Sequence, residues 1–372
     1  MIVRTISRAM CMVLVGLMVG PLLSGCVAAG NNAAGDRTAT YKLYFGDLHT
    51  HTAYSDAYEE STPWDAYKAA IAAGADFMAV TDHIAIWHDY EAWVMDSAQW
   101  SDELAAADYY TSKKFVAMAG YEAYLMGHCG EINVYNDRNL PPAEPEGYKF
   151  DRLSNFYDWI ASQPGAIGQF NHPLYVSTDF LDYAGYTETR DIGMNILEVY
   201  NDEYYDASYI MALDAGWHIM PSANSDTHYS DWIAGHEMRT VLLAPSLTPE
   251  NLYTAMSACR GYATLDKNLR VYYTLDNAIM GSNLSAPDGE YTASIQISDP
   301  DGLKDEITLV EIVSDGGQVV KSIRTKGTSV DLTVQLSSQK DARYFFVRVT
   351  TASPLEGGPG ITAWTAPVWT GR

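Results

Sequence analysis

The sequence predicts an α/β fold followed by a smaller all-β region. Residues 41–265 alternate apolar β-type runs with helical patterns, which is typical of parallel β/α architecture, either open or closed as a barrel. From about residue 270 onward the pattern changes to short strands of period two separated by Gly turns. The 372-residue chain is long enough for one large catalytic domain and a smaller second one.

The first 25 residues predict a secretory signal peptide. Arg4 and Arg8 give a positive start, and residues 9–23 form an apolar run that is too short for a comfortable membrane span. We therefore expect residues 1–25 to be removed from the mature protein rather than to belong to the fold.

The end of this signal predicts a lipid anchor at Cys26. Residues 23–26 read LSGC, which resembles the bacterial lipobox, in which the peptidase cuts before the Cys and the Cys carries the lipid. A plain secretory signal with an incidental Cys is the alternative. Residues 26–40 are small and polar and suit a flexible tether. We expect a protein of the bacterial cell envelope, anchored to a membrane through Cys26 and facing an extracytoplasmic compartment.

The net charge limits the partners. The chain has 23 Lys and Arg against 47 Asp and Glu, a net charge of -24. Nucleic-acid binding by bulk charge is excluded because it needs basic surface. An anionic substrate would need a local positive centre, which bound metal ions supply. The oligomeric state is left open.

Helix signals separate several of the apolar runs in the first region. Thr62 followed by Pro63 predicts an N-cap with Pro at the first helical position, and Gly74 predicts the end of that helix. Thr248 followed by Pro249 predicts the start of another helix. The strand runs around these helices are 41–49, 75–83, 114–122, 130–136, 165–172, 194–200, 217–226 and 238–245.

The C-terminal region predicts a small β-sandwich of about a hundred residues. Turns such as Asp288-Gly289 and Asp301-Gly302 separate its strands, and we find no convincing helix there. The predicted strands are 291–299, 307–315, 319–325, 329–336 and 343–351.

Ionisable side chains gather at the ends of the apolar runs in the first region. The successive runs end at Asp47 to His51, at Asp82 and His83, at Glu122, at His172, and at Asp226 to His228. In parallel β/α folds the carboxyl ends of the strands form the functional face. Core packing does not explain why five strands each place His, Asp or Glu at the same end. His128, in a loop before the run 130–136, is placed to join them.

This combination of side chains predicts a transition-metal site. His49 and His51 form a His-X-His pair, whose imidazoles lie on one side of a strand because side chains alternate. One such pair is a weak signal, but six of the nine histidines lie at strand ends or in adjacent loops. Imidazole mixed with carboxylate suits zinc, manganese or iron, whereas magnesium sites use oxygen alone.

The motifs resemble those of the polymerase and histidinol phosphatase (PHP) superfamily, in order. The segments that carry the resemblance are GDLHTHTAYSD, GADFMAVTDH, AGYEAY, GHCGEINVY, FNHP and SDTH, between about residues 42 and 265. The resemblance implies a distorted (β/α)7 TIM-like barrel over residues 41–268, followed by the β-sandwich domain over 269–372. It also implies a site for two or three divalent metal ions (Zn, Mn or Fe).

The resemblance also implies which residues bind each metal. The first metal would be bound by His49, His51, Glu122 and Asp226, the second by Asp56, His83 and His228, and the third by Glu122, His128 and His172. The implied catalytic residues are Glu122, Asp226 and Asp82.

Two positions leave alternatives open. Asp56 stands where the histidinol-phosphatase branch typically has His, which favours other phosphoesterase branches, and Ser55 is a competing ligand. Asp82 is expected to orient a ligand His from outside the metal's first shell, with a strand-end cap as the alternative.

The predicted activity is hydrolysis of phosphate mono- or diesters by metal-activated water, on a small-molecule or oligomeric substrate. The tail TAWTAPVWTG is similar to the C-terminal region of the carbaryl-hydrolase-like PHP branch, so carboxyl- or carbamate-ester cleavage is the alternative. A third hypothesis is an envelope-binding protein with a non-catalytic metal site. Arg239 is a candidate anion clamp, with an ordinary surface or core-edge Arg as the alternative, and Cys129 and Cys259 are candidates for a disulfide.

Overall fold

The structure, a computed structural model, describes residues 40–85, 94–124, 130–141, 153–173, 179–284, 289–353 and 360–371. All of these described residues belong to one compact unit. The predicted signal peptide, tether and lipidated Cys26 lie outside the described residues, and so do His128 and Cys129.

Eleven strands lie in the first region, and all eight predicted runs contain one of them. Their bounds are β1 Lys42–Asp47, β2 Phe77–Val80, β3 His83–Ala85, β4 Val116–Tyr124, β5 Glu131–Tyr135, β6 Ile167–Phe170, β7 Met194–Asn201, β8 Glu203–Tyr204, β9 Met220–Ala223, β10 Arg239–Ala244 and β11 Gly261–Thr264.

Six α-helices connect these strands in the described residues. They are α1 Pro63–Ala72, α2 Ser97–Tyr110, α3 Leu153–Ser162, α4 Glu188–Asp191, α5 Asp206–Ala215 and α6 Pro249–Ser257. Short 3-10 turns cover Asp179–Tyr183, Leu303–Asp305 and Asp315–Gly317. None of the helices described is long and apolar enough to cross a membrane.

Nine further strands follow, and they include all five that the sequence predicts in the C-terminal region. They are β12 Arg270–Leu275, β13 Ala278–Ile279, β14 Tyr291–Ser298, β15 Ile307–Ser314, β16 Gln318–Arg324, β17 Ser329–Leu336, β18 Tyr344–Thr351, β19 Ala363–Thr365 and β20 Val368–Trp369.

The predicted helix starts are confirmed at both caps. The Thr62 side chain accepts a hydrogen bond from the Asp65 backbone, and Asp65 in return accepts one from the Thr62 backbone, so the two form a capping box. Gly74 follows the C-cap of α1 with φ at 83°, a left-handed conformation that glycine adopts without steric cost. Thr248 caps α6 through the backbone N–H of Asn251.

The sheet of the first region is mixed rather than wholly parallel, so that part of the prediction is wrong. Strands β1, β2 and β4 pair in parallel, and so do β6, β7 and β9. Strand β5, however, pairs antiparallel with both β4 and β6. The connection from Tyr124 to Glu131 is too short for the crossover helix that a parallel pair requires.

A closed seven-stranded barrel stays a prediction. Strand β10 pairs antiparallel with β1, while no backbone ladder joins β9 to β10, both of which are fully described. The hydroxyl of Thr240 bridges that gap, because it donates to the carbonyl of Ala223 and accepts from its N–H. The carboxyl ends of β1, β2, β6, β7 and β9 nevertheless open toward one face.

The C-terminal strands divide between two sheets. Strand β19 pairs with β11, so β15, β16, β18 and β19 extend the large sheet, while β12, β13, β14 and β17 form a four-stranded sheet. The free-standing β-sandwich stays a prediction, because five of these nine strands, including β20 through its pairing with β18, continue the sheet of the first region.

A glycine allows β1 to approach β2 closely beneath the site. Gly46 pairs with Phe77 in the β1–β2 ladder, and a Cβ at Gly46 would overlap the Phe77 carbonyl oxygen and ring. Asp47 and His49 follow directly in the chain. Any outward shift of this strand therefore moves the start of the site.

Gly46→Ala is expected to lower the free energy of unfolding by about 1–3 kcal/mol, because the added methyl overpacks a buried backbone contact. Thermal unfolding measures this loss. Gly371→Ala is the matched control, since the nearest atoms to its Cβ lie 3.8 Å away. Equal melting temperatures for the two variants would contradict the predicted overlap.

Candidate metal centre

The site begins where strands end. His49 and His51 lie just after β1, in a segment held by a backbone bridge between Thr50 and Thr227. Glu122 lies inside β4, and the register of β3 against β4 places His83 directly beside it. Residues distant in the chain are therefore brought together by strand pairing.

Two site residues have strained backbones. His172, after β6, has φ at 22°, and Asp226, after β9, has φ at 49°. Non-glycine residues seldom adopt such conformations, and where they occur at a site the surrounding structure enforces them. Asp226 is fixed by its N–H, which donates to the His49 carbonyl, and His172 by its N–H, which donates to Glu198.

The deepest cluster consists of His49, His51, Glu122 and Asp226. The Nε2 atoms of the two imidazoles lie 3.2 Å apart. Glu122 Oε2 lies 3.0 Å from His49 Nε2 and 3.2 Å from His51 Nε2. Asp226 Oδ1 lies 3.2 Å and 2.9 Å from the same two atoms. These four residues are the set that the sequence predicts for the first metal.

A second cluster lies nearer the solvent and contains Asp56, His83 and His228, the residues predicted for the second metal. Asp56 Oδ2 lies 3.1 Å from His228 Nε2 and 3.5 Å from His83 Nε2. His51 also reaches this cluster, because its Nδ1 lies 3.5 Å from Asp56 Oδ1. Its ring therefore stands between the two clusters.

A third cluster includes a residue that the sequence analysis missed. Glu131 lies 3.2 Å from His172 Nε2 and 4.0 Å from His83 Nδ1, and it forms a ligand-spaced group with His83 and Glu122. Glu122 Oε1 lies 3.3 Å from His172 Nε2. His172 thus lies where the third metal is predicted, while the predicted ligand His128 lies outside the described residues.

Buried polar side chains fix the orientation of the ligands. Glu198, fully buried in β7, lies 3.0 Å from His49 Nδ1 and leaves His49 Nε2 turned to the cluster. His228 Nδ1 lies 2.8 Å from the Asp226 carbonyl, which turns its Nε2 toward Asp56. Hydrogen bonds of this kind set the tautomer of metal-binding histidines. A lone Glu inside the apolar run MNILEVY was the available signal for Glu198.

Asp82 makes no direct contact with a described histidine, so its predicted role in orienting a ligand His stays a prediction, with Ser55 lying between it and His51. Within the described residues its carboxylate accepts hydrogen bonds from the Thr52 N–H and hydroxyl and from the Ser55 hydroxyl. It fixes the turn that carries Asp56. Ser55, the competing ligand, is occupied as a donor to Asp82 and Asp56.

The carboxylates of the site are held ionised by the imidazoles around them. Burial alone would raise the pKa of Glu122, but His49 and His83 lower it well below its usual value. The same balance lowers the pKa of Asp226, through His49 and His51, and of Asp56, through His228.

The imidazoles show the opposite shift. Burial would lower the pKa of His51, but Asp226 and Glu122 raise it to about 9. Against burial, the same two carboxylates also raise the pKa of His49, while Glu122 and Glu131 raise the pKa of His172. In the metal-free chain, protons on these rings therefore provide the positive charge that the carboxylates require.

Two buried atoms of the site also indicate that these residues fit divalent cations, independently of the charge balance. Asp226 Oδ1 and His83 Nδ1 are buried, and neither has a hydrogen bond of acceptable geometry to any described residue. Asp226 Oδ1 nevertheless lies 2.9 Å from His51 Nε2. A short distance without hydrogen-bond geometry is expected where the lone pairs of both atoms point at a common centre. Nitrogen mixed with oxygen suits zinc, manganese or iron.

An acidic pocket opens above the clusters. It has a volume of about 410 Å³, within the range of small-molecule sites. Its described lining contains no Lys or Arg: it consists of Asp56, His83, Glu122, Glu131, His172, Asn201, Asp202, Glu203, Tyr205, Asp226 and His228.

Two further sequence-based candidates lie elsewhere. Arg239 is buried and donates to the backbone carbonyls of Ile233, His236 and Met238, so it is not the predicted anion clamp. Cys259 is a free, buried thiol beside the His218 carbonyl, and its proposed partner Cys129 lies outside the described residues.

Comparisons with known proteins give matches only among solved structures. No family model matches the chain, and no curated protein does. One similar structure is a two-domain protein from Bacteroides vulgatus that contains a predicted PHP-like metal-dependent phosphoesterase. It is 15% identical, with 88% of this chain and 96% of that chain covered and a TM-score of 0.47.

Two other solved structures are less similar. A protein from Bifidobacterium adolescentis, described as a candidate metal-dependent phosphoesterase, is 14% identical over 58% of this chain and 96% of its own, with a TM-score of 0.33. Histidinol phosphate phosphatase from Lactococcus lactis, complexed with zinc, L-histidinol and phosphate, is 14% identical over 50% and 86%, with a TM-score of 0.31. The description of the Bacteroides vulgatus structure names the PHP family that the motifs of this chain resemble.

Glu198→Gln is expected to weaken zinc binding by roughly 10- to 100-fold, because the amide no longer fixes the His49 ring as a carboxylate does. Competition with a chromogenic chelator measures the affinity. The exposed Glu59→Gln is the matched control. Unchanged affinity in Glu198→Gln would show that the Glu198 contact does not position the ligand.

Proposed function

We propose that this protein is a metal-dependent hydrolase and that it cleaves phosphate esters. One observation carries the proposal: both oxygens of the buried Glu122 carboxylate are shared among imidazoles from separate strands. Oε2 lies within 3.3 Å of His49, His51 and His83, and Oε1 lies 3.3 Å from His172. A carboxylate shared in this way is suited to bridge neighbouring cations, which is a property of multi-metal hydrolases.

The charge of the pocket supports a metal-dependent reaction. The described lining offers an anionic substrate no Lys or Arg, and the whole chain carries a net charge of -24. Divalent cations, when bound, would lower the pKa of a water and neutralise the charge that develops on the transferred group. His49, His51, Glu122 and Asp226 would hold one cation, and Asp56, His83 and His228 another.

The chain's own residues do the positioning. Two buried residues position the deepest cluster. Glu198 contacts His49 Nδ1, and Asn171 Nδ2 donates to Glu122 Oε1 at 2.6 Å. Asn201 Nδ2 donates to Asp226 Oδ2 at 3.2 Å and also lines the pocket, so it orients Asp226 at the open side. Tyr205 provides a partly apolar wall for the substrate.

A carboxyl- or carbamate-ester substrate is the second candidate on the same site. The observation that favours it is the resemblance of the tail, in which Trp364 and Trp369 are both buried, to the carbaryl-hydrolase-like branch. We prefer a phosphate ester as the substrate, because neighbouring cation sites that share ligands suit a group with several charged oxygens.

We also propose that the protein works in the bacterial envelope, attached to a membrane by a lipid on Cys26. The support is the sequence of residues 1–26 alone. An esterase in that place would meet substrates from outside the cytoplasm. Mass spectrometry of the membrane fraction tests the anchor, and an unmodified N-terminus would contradict it.

The proposed activity predicts that chelation abolishes hydrolysis of aryl phosphate and that zinc or manganese restores it. Glu122→Gln should lower the rate of the metal-loaded protein by more than ~100-fold, because it removes a shared metal ligand. This loss should exceed that of a variant that changes only a residue orienting a ligand. Glu59→Gln is the control. Assays with aryl phosphate, bis-aryl phosphate and aryl carbamate separate the substrate classes.

Faster turnover of the carbamate than of either phosphate would replace the phosphoesterase proposal with the second candidate. If the metal-loaded protein turned over none of these esters, the hydrolase proposal would be contradicted, and an envelope-binding role with a non-catalytic metal would gain support.

A further inference from the structure

A second carboxylate cluster lies outside the metal centre, where two loops meet. Asp266 belongs to the loop between β11 and β12, and Asp299, Asp301 and Asp305 belong to the segment between β14 and β15. One carboxylate oxygen from each residue lies within 4.8 Å of all the others. We call these four residues the aspartate cluster.

No ion pair neutralises the aspartate cluster within the described part of the chain. The adjacent Lys267 feels the charges of Asp266 and Asp301, but it pairs with Glu237 at 3.0 Å. Burial, followed by the charges of Asp266 and Asp305, raises the pKa of Asp299 to about 6. Like charges are therefore held together without a salt-bridge partner among the described residues.

An unsatisfied buried atom gives independent evidence of a ligand. Asp299 is only 4% exposed, and its Oδ2 has no hydrogen-bond donor among the described residues, whereas its Oδ1 accepts from the Asp301 N–H at 2.8 Å. Leaving a buried acceptor unpaired is costly, so such atoms usually have a partner. The Oδ1 of Asn268, whose Nδ2 lies 2.9 Å from Asp301, is also buried and unpaired.

The loop is shaped to keep its carboxylates close together. Asp299 and Asp301 alternate along the chain, and Gly302 then adopts φ of 86°, a left-handed conformation that reverses the backbone. The N–H of Asp305 donates to the Gly302 carbonyl at 3.1 Å and returns that residue to the cluster.

We propose that the aspartate cluster binds a calcium ion. Its donors are oxygen alone, unlike the imidazole-rich metal centre, and Ca²⁺ accepts several carboxylates in an irregular geometry, whereas Mg²⁺ retains water in a strict octahedron. Each loop crosses between the large sheet and the four-stranded sheet, from β11 to β12 and from β14 to β15. Calcium would therefore tie the two crossings together and stabilise the C-terminal region.

The test uses the intact protein with its histidine site preloaded with zinc. Equilibrium dialysis against radioactive calcium should show about one ion per chain, with a dissociation constant on the order of 10⁻⁴–10⁻³ M, as in extracellular calcium modules. Saturating calcium should raise the melting temperature by about 5 °C, because it binds only the folded state.

The double variant Asp301→Asn/Asp305→Asn should weaken calcium binding at least ~10-fold and lose the thermal shift, while zinc content stays unchanged. Removal of two repelling charges should let it fold without calcium, and circular dichroism with the single variant Asp301→Asn checks this. The matched control is Asp331→Asn/Asp341→Asn, which removes two exposed carboxylates of the same region. Absence of calcium binding by the unaltered protein, or equal binding by the double variant, would overturn the proposal.

Discussion

A buried carboxylate stays ionised only where positive charge surrounds it. In this structure the constraint applies to Glu122, around which the site is built. The side chain is 1% exposed, and burial of a lone carboxylate would favour its neutral form. Imidazoles from the ends of β1, β3 and β6 instead converge on its two oxygens. The strands of the large sheet are therefore arranged around one acid near the carboxyl end of β4.

The cost of this arrangement appears in the surrounding structure. His172 and Asp226 take left-handed backbone conformations, and Glu198 is buried so that it can hold the His49 ring. Protons on histidines satisfy the site only in part, since the buried His83 Nδ1 and Asp226 Oδ1 atoms have no hydrogen-bond partner among the described residues. Divalent cations would replace the protons and use those atoms as ligands.

Sequence patterns predicted most of the site because its residues lie at strand ends, where apolar runs stop on His or Asp. The helix caps at Thr62 and Thr248 were equally local signals and are confirmed. Glu131 and Glu198 were missed because a Glu within a strand is ordinarily an exposed side chain, and only strand pairing shows that these two face the cluster.

Features that depend on long-range pairing could not be predicted. The antiparallel insertion of β5 follows from a short connection whose direction the sequence does not reveal. Strand β19 pairs with β11, although their residues lie about a hundred positions apart in the chain. The local pattern of short strands does not reveal this pairing, and it therefore suggested a separate sandwich. Asp82 looked like a partner for a histidine, but its carboxylate is satisfied by Thr52 and Ser55.

The central claim is that Glu122 bridges cations rather than protonated histidines alone. Anomalous diffraction from crystals of the zinc-loaded protein tests it most directly. The account predicts anomalous peaks at about 2.0–2.2 Å from Glu122 oxygens, with His49 and His51 also within bonding distance of one peak. An imidazole cluster that stays free of metal at saturating zinc, with Glu122 bound only to histidine protons, would contradict it.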